Sequence, residues 1–182
     1  MTYNPPPPGA AGPPPPLPGQ APRGPRPATV TMAAYVLVGE AVLLLLGAVV
    51  SLLAQDTIKE ATDKYLDDQN LTSSSTNGTA SQVFGIVFGL IFAAAFIGLA
   101  LGVLRGANVA RIIAWVVSGL ALCCVGVSTA FSLAVISKYL PGGYLAYSYL
   151  VTFLELAGFV AIIVLLALPA SNAYFRKPAA GY

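Results

Sequence analysis

Histidine is absent from this chain of 182 residues. That removes histidine-based catalytic triads, imidazole metal ligands and imidazole proton shuttles together. Cysteine occurs twice, as the adjacent pair Cys123 and Cys124 inside an apolar run. Two thiols do not complete a zinc site, and these lie too deep in the run for palmitoylation. Their expected role is that of small apolar fillers in a helix interface. Charge is scarce at 9% of residues, where a soluble domain carries about 25%. The net charge of +2 comes without a basic stripe interleaved with aromatics, which argues against a nucleic-acid partner. No nucleophile–base pair, metal cluster or phosphate-cradling loop can be read from the sequence, so no cofactor is expected and an enzyme is the weakest reading.

Apolar residues are abundant: 57% of the chain, with a mean hydropathy of +0.77. They gather in four runs, Val30–Ala54, Val83–Leu104, Ile112–Ile136 and Leu150–Leu168. A bilayer core about 30 Å thick needs roughly 20 apolar residues at about 1.5 Å each. Each run is close to that length, and two carry a charge. The expectation is an all-α membrane protein, a bundle of four transmembrane helices spanning residues 30–169. The first run is too long for the apolar region of a cleaved signal peptide and reads as a signal anchor.

Twelve of the fifteen prolines fall within residues 1–29. Proline lacks a donor and fixes φ, so this tail is expected to be disordered or extended as polyproline II. It could be a plain solvated tether or a ligand for a proline-recognition module, since Pro13–Pro18 reads PPPPLP. After the first run, residues 55–69 read QDTIKEATDKYLDDQ, with Ile58, Ala61, Tyr65 and Leu66 at helical spacing. Lys59–Asp63 and Glu60–Lys64 are i,i+4 pairs. The first helix should therefore project into water as an amphipathic extension, followed by a flexible linker over Thr72–Ser81. Spans 2 and 3 are joined by Arg105–Arg111 alone, which forces an antiparallel hairpin. Spans 3 and 4 are joined by Ser137–Tyr149, and residues 170–182 form a short tail.

Arg23, Arg26, Arg105, Arg111, Arg176 and Lys177 fall on one side of this topology, and Lys59, Lys64 and Lys138 on the other. The positive-inside bias then places both termini in the cytoplasm, with Arg105, Arg111, Arg176 and Lys177 at the headgroups of the cell membrane's lipids. Trp115, Tyr174 and Phe175 should join the inner interfacial belt. Asn70 and Asn77 head acceptor patterns for glycosylation on the outer side, of a kind that chance often supplies in Ser/Thr-rich loops.

Close helix packing in lipid favours small residues. Span 2 carries Ser81, Gly85, Gly89 and Ala93 on one stripe, and Ala94, Gly98, Gly102 and Gly106 on another. These stripes serve packing within one copy or a homo-oligomer contact through span 2. Glu40 and Glu155 are the two acids inside apolar runs. A charge at the bilayer centre costs about 2.5–3.5 kcal/mol on insertion scales. Such acids are kept neutral or paired, and no Lys or Arg lies inside a run to pair them. Thr152, on the face of Glu155, offers a hydroxyl. Glu40, Glu155 and Thr152 are thus the candidates for a proton or cation site, or for a helix-to-helix clasp.

The proline-rich start MTYNPPPPGAAGPPPP, the hairpin RGANVARIIAWVVSGL and the ending LLALPASNAYFRKP resemble a group of uncharacterised four-span membrane proteins of actinobacteria. The resemblance implies the four-span fold and supplies no activity. A fainter likeness is to the small multidrug-resistance transporters, which have four spans and an acid in the first. This chain departs from them in its long tail, its long outer loop and the VLVGEAVLL surroundings of Glu40. Two expectations lead. One is a non-enzymatic envelope accessory or interaction component, with an envelope protein as candidate partner. The alternative is a small proton- or cation-coupled transporter or channel using Glu40 and Glu155.

Overall fold

The computed structural model describes residues 25–71 and 78–176, and of residues 78–82 and 133 the backbone alone. All regular structure in these residues is helical: α1 (Ala28–Leu53), α2 (Gln55–Asp68), α3 (Gly78–Leu104), α4 (Asn108–Ile136), α5 (Gly142–Ala167) and α6 (Pro169–Phe175), with a 3-10 turn at Ser137–Tyr139. Four of these, α1, α3, α4 and α5, are long and apolar enough to cross a bilayer. A helix is one of two backbone forms that satisfy every N–H and C=O internally, as hydrocarbon demands. The proline-rich segment up to residue 24, the linker residues 72–77 with Asn77, and Lys177 lie outside the described residues.

Local chemistry sets the helix ends. Pro27 and Pro141 stand extended immediately before α1 and α5. Pro169 keeps the preceding residue out of helical geometry. Leu168 accordingly has ψ 147°, which stops α5 and starts α6 with proline in its first turn. At the end of α3, Gly106 has φ 69°, and Ala107 N–H bonds to the Gly102 carbonyl while Gly106 N–H bonds to that of Val103. This is a Schellman closure, and its left-handed residue is a glycine because a Cβ there is strained. Asn70, with φ 53°, closes α2 through the same pair of bonds, to Leu66 and Asp67. The asparagine that heads a candidate acceptor pattern is thus also a helix terminator.

The four long helices form a ring in the order α1, α3, α4, α5, with α5 returning to α1. Helices α1 and α4 are therefore diagonal, as are α3 and α5. Phe96 of α3 and Phe159 of α5 meet across that second diagonal, with ring centroids 6.1 Å apart. The short helices lie at opposite ends. Helix α2 leaves α1 and reaches the 3-10 turn and α4. Helix α6 leaves α5 and reaches α1. Both ends of the described chain sit on the α6 side, together with the α3–α4 turn.

Packing is unequal along the bundle. The buried apolar side chains of the main core are Val30 to Ala41 on α1, Ala93 to Val103 on α3, Ala114 on α4, Phe159 to Leu166 on α5, and Phe175. All lie in the half next to α6. In the half next to α2, no described side chain of the four long helices is fully buried.

The structure amends the sequence reading in several places. Helix α5 begins at Gly142, not near residue 150, so the connection from α4 is short and Tyr144, Tyr147 and Tyr149 ride on helix. Residues 78–81 are the first turn of α3 rather than linker. Helix α2 is separated from α1 by a break at Ala54 and folds back over the bundle instead of projecting from it. Residues 169–175 form a docked helix, not a tail, because Ser171 and Phe175 have a buried place to go. Cys123 and Cys124 are exposed on the outer face of α4, not packed in a helix interface.

Candidate functional site

Glu40 is the thirteenth of the 26 residues of α1, and Glu155 the fourteenth of the 26 residues of α5. Both acids therefore stand at mid-helix on neighbouring, oppositely running helices. Glu40 shares the core face of α1 with Ala33, Leu37 and Ala41, and this burial leaves it 2% exposed. Its carboxyl presses on the backbone of Gly158, so closely that a Cβ at position 158 would overlap Oε1. Any side chain at position 158 would have to displace the Glu40 carboxyl. Glu155, half-buried, lies one turn away on the same face of α5 and within electrostatic reach of Glu40.

The second carboxyl oxygen of Glu40 is buried with no hydrogen-bond partner among the described residues. No Lys or Arg pairs with either acid there, and Thr152 makes no hydrogen bond to Glu155. Further along α5 toward α2, the Tyr147 hydroxyl is also buried and unpartnered. The pair sits at the boundary of the two halves of the bundle. On its α6 side lie the Phe96–Phe159 layer and the fully buried Leu37, Ile162 and Leu166. Among the described residues, no three His, Cys, Asp or Glu side chains come together as a metal site would require.

At the α6 end, Arg111 turns into the protein. Its guanidinium donates to the Asn172 side-chain oxygen, lies 4.5 Å from the Trp115 ring centroid and 5.4 Å from that of Phe175. Tyr174 donates to the Leu104 carbonyl at 3.1 Å. Ser171 donates to the Leu165 carbonyl at 2.7 Å, so the 2.8 Å contact between Thr29 and Ser171 has the Thr29 hydroxyl as donor. About two turns of helix thereby tie together α1, α3, α4 and α5. Trp115, Tyr174 and Phe175, expected in an interfacial belt, belong to this cluster. Arg105 and Arg176 are exposed at the same end.

The opposite end has its own tie. Asp68 of α2 accepts from the Tyr139 hydroxyl and stands 3.5 Å from the Lys138 ammonium. The Tyr139 hydrogen bond, helped by Lys138, holds the Asp68 carboxyl below its ordinary range. Tyr65 meets Tyr139 edge-on at 6.2 Å. On the exposed face Glu60 and Lys64 pair at 2.7 Å, which lowers Glu60, while Lys59 and Asp63 make no such pair.

Of the span 2 glycines, Gly102 alone meets a neighbour: a Cβ there would lie 2.6 Å from that of Ala110. Gly85, Gly89 and Gly98 face open space. The sequence reading missed the Arg111–Asn172–Phe175 cluster. Its available signal was Pro169, a helix-starting residue followed by two aromatics. Comparison with protein-family models, with curated proteins and with solved structures finds no match to this chain.

Proposed function

We propose that this chain is a multi-pass component of the cell membrane whose work is interaction rather than chemistry, with α2 as its contact surface. The observation that carries this reading is the tethered α2. Its apolar side, Ile58, Ala61, Tyr65 and Leu66, turns to the bundle, and the Asp68–Tyr139–Lys138 tie fixes it there. Asp56, Lys59, Glu60, Asp63, Lys64 and Asp67 are left exposed as a mostly acidic face. In this reading both termini are cytoplasmic. Arg26, Arg105, Arg111 and Arg176 share the α6 end and Lys59, Lys64 and Lys138 the α2 end, and this sorting supports the orientation. The partner of α2 is an envelope protein or a second copy meeting it outside the membrane.

A photo-crosslinking residue at Asp63 tests this in intact cells. A discrete adduct from Asp63, absent from a control probe at the lipid-facing Val38, is the expected result. No adduct from any exposed position of α2 would end the reading. Glu40 and Glu155, two mid-helix acids at the α1–α5 seam, favour a second reading, a proton- or cation-coupled transporter. It requires a pH-dependent flux in proteoliposomes that Glu40→Gln removes, and it fails if the parent protein gives no flux.

A further inference from the structure

We propose that the α1–α5 seam is a proton-binding site: Glu40 and Glu155 together hold at least one proton at neutral pH, exchanged through the half of the bundle next to α2. This deepens the transport reading, because proton-coupled transport would need such a site. Binding can nevertheless be detected without any flux.

The geometry carries three steps. First, the site needs a ligand. A carboxyl 2% exposed, with one oxygen unpartnered and a second acid in electrostatic reach, has no cation beside it. The surrounding elements supply none. Among the described residues α3 has no titratable group. The titratable groups of α4 are Arg111, committed to Asn172 in its first turns, and Cys123 and Cys124 on the outer face. Helix α5 adds Tyr144, Tyr147 and Tyr149, and α6 adds Tyr174, bonded to Leu104. The charged residues of α2 lie beyond the end of α1, and Tyr35 of α1 is 73% exposed.

Second, the ligand is a proton. Hard metal cations take about six to eight oxygens, and transition metals want imidazole or thiolate. Two carboxyls meet a proton's needs, since a protonated carboxyl is both donor and acceptor and can bridge to the other. Two like charges close together in a poor dielectric do not both stay ionised.

Third, closure of the bundle is one-sided. Toward α6 the Phe96–Phe159 stack and the fully buried Leu37, Ile162 and Leu166 close the bundle. Toward α2 no fully buried side chain of the long helices intervenes among the described residues, and the unpartnered Tyr147 hydroxyl lies in that half. Loss of the proton would leave a negative charge pressed on the Gly158 backbone and repelled by its neighbour. The seam should then loosen.

The test uses the full chain in lipid. Infrared difference spectra between about pH 6 and about pH 9 should show a protonated-carboxyl band that disappears in the Glu40→Gln, Glu155→Gln double variant. The melting midpoint of the parent should fall over the same range, and the double variant should lose at least about half of that fall. Glutamine keeps shape without titrating, so the variant remains foldable. Sidedness is read in a background with Cys123 and Cys124 replaced by serine. A charged thiol reagent should modify Tyr147→Cys and spare Leu166→Cys. A parent without the band, or parent and double variant falling in parallel, overturns the site. Modification of Leu166→Cys alone overturns the access route.

Discussion

Arg111 and Asn172, sixty-one residues apart in the chain, are joined side chain to side chain. The bond pins α6 to the start of α4, and the Trp115 and Phe175 rings cover the guanidinium. Asn172→Leu should undock α6 at a cost of about 1.5–3 kcal/mol, the range for a hydrogen bond to a charged group. Hydrogen exchange of the α6 amides reads it directly. Arg111→Lys should not restore the tie, because an ammonium lacks the planar fork that stacks and bonds at once. Protection of α6 unchanged in Asn172→Leu would show that the bond is incidental.

Glu40 and Gly158 compete for one volume. Gly158→Leu should destabilise the fold by about 1–3 kcal/mol, as overpacking does. Combining it with Glu40→Ala should recover part of that loss, giving a coupling of about 0.5–3 kcal/mol between contacting positions. Thermal melts of the four proteins in detergent supply the cycle. Strict additivity would mean that the two positions do not touch.

Two glycines of the same stripe should behave differently. Gly102→Leu meets Ala110 and should cost about 1–3 kcal/mol. Gly98→Leu points into open space and should stay within about 0.5 kcal/mol. If Gly98→Leu instead breaks up an oligomer seen by light scattering, that stripe is covered by a second copy.

The Asp68 tie has a signed pH dependence. Its carboxyl titrates below the ordinary range because Tyr139 and Lys138 favour the anion. The tie's contribution is therefore fully present above the unfolded carboxyl's range and is lost as pH falls through the folded one. The protection of the amides at the end of α2, relative to their intrinsic exchange rate at each pH, should fall with acid in the parent. Asp68→Asn should exchange quickly at neutral pH and show a flatter acid response. A parent profile insensitive to acid would remove Asp68 from the clamp.

Orientation is open to labelling. In a background with Cys123 and Cys124 replaced by serine, Lys64→Cys should react with an impermeant thiol reagent from outside the cell, and Arg105→Cys only after the membrane is opened. The reverse pattern would invert the topology.

The sequence already revealed the four helices, since length and hydropathy in a bilayer leave few alternatives. It also revealed the position of Glu40 and Glu155, because an acid in an apolar run is conspicuous. Less visible was that both belong to the α1–α5 seam, Glu40 against Gly158 and Glu155 one turn from it. That depends on how α1 and α5 lie in the ring, and ring order is decided by packing rather than by any one helix. Gly158 shared a face with Glu155 in the sequence, but the carboxyl that crowds it lies on α1. The start of α5 was missed because the tyrosine-rich stretch after Pro141 is amphiphilic, and hydropathy does not separate an interfacial helix from a loop. Helix α6 was missed because its few residues bury only Ser171 and Phe175. Such partners lie far apart in the chain, beyond the reach of periodicity.

The seven residues that close one face of the bundle follow the four long helices in the chain and are translated after them. They reach back to Thr29, Leu104 and Arg111, all made earlier. The long helices must therefore enter the bilayer and find one another while that face is still open. Its sealing waits until α6 has followed the fourth span out of the ribosome. A message cut short before Pro169 would still yield four spans, but with the Arg111 guanidinium uncovered and the ends of the spans untied.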